Sequence, residues 1–206
     1  VLFFHSLTIL PIAEATVLPE HDFLVVDEAH ELTDRVTSVA TGELTPGPLG
    51  VAVRRAGRLL SPELNQRLEA SVTTFASAIH DAQPGRIDFL DDELATYLRT
   101  LRDSATAARG AIDPSPKDPK AAAARAETIT ALTEIAETAA RVLDSFAPAI
   151  PDRTDVVWLD HEEQRGARQS TTTTTPVLRV APLSVGGLLA EKVFGTSDMP
   201  AYKYVF

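Results

Sequence analysis

The chain divides by the spacing of its apolar positions. Phe23-Leu24-Val25-Val26 is a continuous apolar run. It is too short for a helix and reads as a strand buried in a parallel sheet. Val1 to Leu10, broken by His5 and Ser6, reads as a strand and a short helix. From Glu31 the spacing becomes helical, with Leu32, Val36 and Val39 or Ala40 on one face. Gly42 to Gly50 holds Pro46, Gly47 and Pro48, which predicts a break and a domain boundary.

Four helices follow in the pattern. Pro48 to Leu60 predicts a short one. Ser61-Pro62 gives an N-cap and a proline at the first helical position, and Leu64, Leu68, Val72, Phe75 and Ile79 then form a stripe ended by Pro84-Gly85. Asp88 to Arg109 carries Leu90, Leu94, Leu98 and Leu101, with Gly110 as the expected stop. Asp113 to Pro119 is a loop. Asp118-Pro119 opens the longest helix, to Phe146, with Ile129, Leu132, Ile135, Ala139, Val142 and Phe146 on its stripe. Four one-faced helices in succession predict an antiparallel bundle. Asp155 to Leu159 and Val177 to Val180 then read as strands joined by a polar loop at Thr171 to Thr175. Pro182 to Phe194 reads as a short helix, and Thr196 to Phe206 shows no pattern.

Composition narrows the classes. Of 206 residues 44% are hydrophobic, enough for a packed core. The net charge is −10, which argues against a chain basic throughout but leaves room for a local basic groove. Fifteen Arg against four Lys makes the cations mostly fork-shaped phosphate partners. With no cysteine, this chain cannot build a disulfide, a zinc-thiolate site or an iron–sulfur cluster. It shows neither a signal-peptide pattern nor an apolar run of membrane-spanning length, so the expectation is a soluble, cytoplasmic protein. A start at Val1 suggests a fragment or a processed product.

The candidate chemistry follows the first strand. Asp27-Glu28-Ala29-His30 places two carboxylates at the strand's C-terminal end, where open α/β sheets hold ligands. An aspartate there can hold the Mg²⁺ that bridges nucleotide phosphates, and the adjacent glutamate can orient or deprotonate a water. The plainer alternative is a charged helix start after a buried strand. A metal site built from Asp27, Glu28, His30 and Glu31 lacks the i, i+4 histidine pair of zinc sites.

The order of parts resembles the DinG and XPD-like superfamily 2 DNA helicases, the actinobacterial DinG-like branch in particular. The features are a Walker B strand in DEAH form, a long helical insertion, and a return through Trp158 and Arg179-Val180-Ala181-Pro182-Leu183. The resemblance is closest over Leu18 to Val36 and Val177 to Phe194. It implies an α+β, mainly α fold: a partial RecA-like motor domain (1–42 and 153–195) interrupted by an antiparallel helical arch-like insertion (43–152), with an irregular tail (196–206). It implies ATP and Mg²⁺ as cofactors, single-stranded DNA as partner, Asp27 on the Mg²⁺, Glu28 as the catalytic carboxylate and His30 as the coupling residue. Phe4 stands where the family shows an asparagine before His5. The chain has no G-x-x-x-x-G-K-[ST] phosphate loop, no Ser-Ala-Thr motif after Phe194 and no second motor domain. An internal fragment, inactive alone, is therefore expected. The alternative is a non-enzymatic helical interaction module retaining a relic DEAH motif.

Arg54, Arg55 and Arg58 are candidates for contact with DNA phosphates, against the plainer reading of a solvated helix face. Trp158 reads as a core residue rather than a base-stacking one. His80 and His161 read as surface residues.

Overall fold

The computed structural model describes residues 23–25, 29–113, 119–165, 172–190 and 203–205. Their architecture is mainly helical α+β, as expected. Contacts divide the chain into two units, one of Gly42–Val180 and one of the described residues on either side of it.

In the flanking unit, β1 (Phe23–Val25) pairs in parallel with β6 (Lys203–Val205), Leu24 opposite Tyr204. Of the strand read at 23–26, residues 23–25 are extended and parallel to their partner, and Val26 lies outside the described residues. Its partner comes from the tail that showed no pattern. A 3-10 turn at Ala29–Glu31 leads into α1 (Leu32–Ala40), which buries Leu32 and Val36. Val39 stays exposed, so the apolar face is narrower than its spacing suggests. At the other end of the chain, α6 (Gly186–Leu189) is a single turn. The strand and helix read at 1–10 lie outside the described residues.

The larger unit opens with β2 (Gly42–Leu44) and α2 (Pro46–Ala56). A break was expected over 42–50. Instead the helix starts on the prolines, because Pro46 and Pro48 occupy its first turn, where no backbone N–H has an intrahelical partner. Arg58 falls beyond its end. Next comes α3 (Pro62–Asp81), with Ser61 Oγ accepting from Leu64 N at 3.4 Å. Of the predicted stripe, Leu68, Val72, Phe75 and Ile79 are buried and Leu64 is half-buried.

A two-residue strand, β3 (Gly85–Arg86), separates α3 from α4 (Asp92–Ala111). The Asp91 carboxylate caps α4, accepting from Leu94 N at 2.7 Å. Gly110 does not stop this helix. The buried series Leu101, Ala105, Ala108 and Ile112 holds the chain at helical spacings of four, three and four past it, at the modest cost of one glycine in a last turn. The long helix α5 (Pro119–Asp144) buries Leu132, Ile135, Ala139 and Val142 as expected, while Ile129 is half-buried and Phe146, also half-buried, lies past its end. Three buried hydroxyls on these helices bond back to their own backbone: Ser71 to Leu68 O, Thr128 to Ala124 O and Ser145 to Val142 O.

After a 3-10 turn at Ile150–Asp152, β4 (Asp155–Arg165) and β5 (Thr172–Pro182) complete a four-stranded sheet in the order β2-β5-β4-β3. The sheet packs on the helices through Leu44, Val157, Leu159, Leu178 and Val180, which share one core with α2 to α5. Alternation places Trp158, Asp160 and Arg179 on the outer face. Two readings are corrected here. Thr172 to Thr175 belong to β5, because β-branched threonines suit an extended strand as well as a loop. Trp158 is half-buried and outside the core cluster.

β2 crosses α5 at Gly42, where a Cβ would lie 2.9 Å from Thr138 Cγ2 and 3.2 Å from Val180 Cγ1. Glycine is what lets the strand reach its register, Gly42 opposite Val180 and Leu44 opposite Leu178.

Candidate functional site

Described residues flank the two carboxylates of the motif on both sides, β1 before them and the 3-10 turn at Ala29–Glu31 after them. Apolar residues favour the extended β1, and Glu31 and Asp34 stand at the start of α1, where negative charge suits the helix N-terminus. His30 is exposed, in the 3-10 turn just before α1. Next to it, Glu31 pairs with Arg35 one turn on, at 2.9 Å, with both side chains about half exposed. Such a pair contributes only a few tenths of a kcal/mol. Asp27 and Glu28 lie outside the described residues. Among the described residues there is no cluster of acidic, His or Cys side chains fit to hold a metal ion.

The arginine trio sits in the larger unit. Arg54 and Arg55 end α2, and Arg58 follows in the turn. All three are exposed. Arg55 pairs with Glu127 on α5, 3.2 Å away. Among the described residues Arg54 and Arg58 have no ion pair. The turn that carries Arg58 is pinned by Gly57, whose missing Cβ would meet Asn65 Oδ1 at 2.9 Å. Arg125, early in α5, lies 3.7 Å from Asp113, just past α4. One end of the helical layer therefore collects arginines from several segments.

The outer sheet face carries a network that the sequence reading did not single out. Arg179 on β5 donates from Nε to Glu43 on β2 and from Nη1 to Asp160 on β4, each at 2.8 Å, and from Nη2 to Glu162. Burial works to lower the Arg179 pKa. Its hydrogen bonds to Glu43 and Glu162, and their charges, outweigh that effect and hold it above the usual arginine value. The signal in the sequence was the two-residue spacing of Asp160 and Glu162 on one strand, facing a lone arginine on the next. His161, read as a surface residue, is half-buried, and its Nε2 is buried without a partner.

No protein-family model matches the chain. Its similarity to individual proteins decides the matter. It is 61% identical over 188 residues to the ATP-dependent helicase DinG of Mycobacterium tuberculosis (strain ATCC 25618 / H37Rv), and equally to that of Mycobacterium bovis (strain ATCC BAA-935 / AF2122/97).

The chain is DinG-like.

The match takes in 91% of the chain and 27% of each relative, so this DinG-like chain spans about a quarter of the length of the curated relatives it matches. A matched stretch of 188 residues leaves only 18 of the 206 outside. Wherever it begins, it includes Phe23 to His30 and the whole helical unit. No helix among the described residues is long and apolar enough to cross a membrane.

Proposed function

We propose that this chain supplies part of the motor and an arch-like insertion of an ATP-dependent DNA helicase. The observation that carries this reading is the DEAH motif inside a stretch 61% identical to helicases named DinG. Residues 1–42 and 153–195 belong to the RecA-like motor domain in this reading, and 43–152 form the arch. Asp27 holds the Mg²⁺ of ATP, Glu28 activates the attacking water, and His30 couples the nucleotide site to the second motor domain. Arg54, Arg55 and Arg58 contact the phosphates of single-stranded DNA. The setting is cytoplasmic.

The 206 residues alone have no phosphate loop and no arginine finger. Both are needed to hold ATP and to stabilise the charge of phosphoryl transfer, so the chain by itself turns over no ATP. The test is Glu28→Gln in a DinG-like chain long enough to contain a phosphate loop. ATP turnover falls by at least a hundredfold, on the order of a lost catalytic base, while ATP binding persists. Turnover that survives the change removes Glu28 from its role.

A further inference from the structure

Phe89 leaves 78% of its surface in solvent, in the connection between α3 and α4. Ile150, 46% exposed, sits in the connection between α5 and β4. Arg153 ties the two connections together. Its Nη1 donates to the Asp88 carbonyl oxygen at 2.8 Å, and its guanidinium carbon lies 4.8 Å from the centre of the Phe146 ring. The two apolar side chains are therefore held at the same end of the helical unit. A shallow groove is lined by residues 84–86, just before Asp88 in the chain, and by Val156 and residues 158–160 of β4. An exposed phenylalanine three residues along the chain from a tryptophan-lined groove has the composition of an interface anchor.

Carboxylates outnumber cations around this patch. Asp88, Asp91, Asp92 and Asp152 are all exposed. Arg86 is engaged by Asp88 at 2.8 Å, and Arg153 by the carbonyl and ring just described. Among the described residues Asp92 and Asp152 have no ion pair. On the adjoining outer sheet face three carboxylates share Arg179 alone. The trio Arg54, Arg55 and Arg58 lies at the other end of the helices, with Arg55 beside Glu127 early in α5.

We infer that the Phe89–Ile150 end docks a protein segment that carries Lys or Arg around an aliphatic anchor. The anchor covers Phe89 and enters the groove, and the cations meet Asp92 and Asp152. Opposite charge steers and orients such a partner. Nucleic acid has the wrong charge for this end, because its phosphates meet uncompensated carboxylates. The inference is independent of the helicase reading, which rests on the motif and on the arginine end.

The test is an NMR titration of the isotope-labelled 206-residue chain at low salt with four probes. These are a leucine–lysine peptide, its leucine–glutamate counterpart, a glycine–lysine peptide of equal charge, and an oligothymidylate. The leucine–lysine peptide shifts amides within 84–92 and 150–158 and binds at least tenfold more tightly than the glycine–lysine peptide. The leucine–glutamate peptide leaves those amides in place. Phe89→Ser, at a position that contributes little to the core, weakens the leucine–lysine complex at least fivefold, and so does the pair Asp92→Asn with Asp152→Asn. Equal binding of the two lysine peptides overturns the inference, because charge alone then explains it. So does an oligothymidylate that moves the same amides, which marks a nucleic-acid platform, or self-association that Phe89→Ser abolishes, which marks a contact between copies of this chain.

Discussion

Arg179 stands directly across the β2–β5 ladder from Glu43, with Nε 2.8 Å from Glu43 Oε1. The same guanidinium reaches Asp160 and Glu162 on β4, so one cation holds three strands together. The carboxylates are about half exposed while Arg179 is 14% exposed, so screening by solvent discounts each bond. Replacing Arg179 with Leu removes the cation and leaves three carboxylates on neighbouring strands. The expected loss is about 1–2 kcal/mol. Part of it returns in high salt, which screens the exposed carboxylates from each other. Urea unfolding at two salt concentrations reads this. An unchanged midpoint at low salt removes the network from the stability of the sheet. The raised Arg179 pKa gives the sign of any pH effect. Its contribution is fully present below the unfolded arginine value and is lost only as pH rises through the folded one. Its own titration therefore leaves stability flat through the neutral range.

Gly42 is a steric requirement. A methyl group there meets Thr138 and Val180 closer than ordinary contact allows. Gly42→Ala is expected to cost about 1–3 kcal/mol, the usual range for overpacking. Thr138→Ser removes the nearer obstacle, Cγ2, and should recover part of that loss. The two changes are then non-additive in a double-mutant cycle. Simple additivity in thermal or chemical unfolding means that β2 moves away from α5 instead.

The caps of α3 and α4 give a graded test. Asp91 accepts from Leu94 N at 2.7 Å with a charged oxygen, while Ser61 accepts from Leu64 N at 3.4 Å with a neutral one. A charged acceptor at a helix N-terminus also gains from the helix dipole. Asp91→Ala is expected to cost about 1–2 kcal/mol and Ser61→Ala about 0.5 kcal/mol. Chemical unfolding of the two variants ranks them, and the reverse order contradicts the geometric argument.

The helices were legible because each carries its own instructions. Ser61-Pro62, the Leu68–Ile79 stripe and the Ile135–Val142 stripe act within a few residues of one another. The short strands β2 and β3 were not legible, because a partner specifies them. Gly42–Leu44 is extended by Val180 and Leu178, and Gly85–Arg86 by Leu159 and Trp158. Gly110 misled for a related reason, since burial of Ile112 outweighs a local stop signal. The site divides in the same way. Asp27-Glu28-Ala29-His30 is legible as a contiguous string, whereas Arg179 and Glu43 are 136 positions apart and meet only through the fold.

The arginine trio makes a prediction about nucleic acid that separates its members. Arg55 is already committed to Glu127 at 3.2 Å, while Arg54 and Arg58 are exposed and have no ion pair among the described residues. If this end tracks a single strand, the uncommitted arginines supply the phosphate contacts. Each contact on single-stranded DNA contributes about 0.7 to the slope of log affinity against log salt. The pair Arg54→Gln and Arg58→Gln should therefore lower that slope by about 1.4. Arg55→Gln should change it less, because a bound strand must first displace Glu127. Fluorescence anisotropy of a labelled oligothymidylate over a salt series measures all three variants. Equal slopes for the wild type and the double variant would return these arginines to a solvated helix face, with DNA contact located elsewhere.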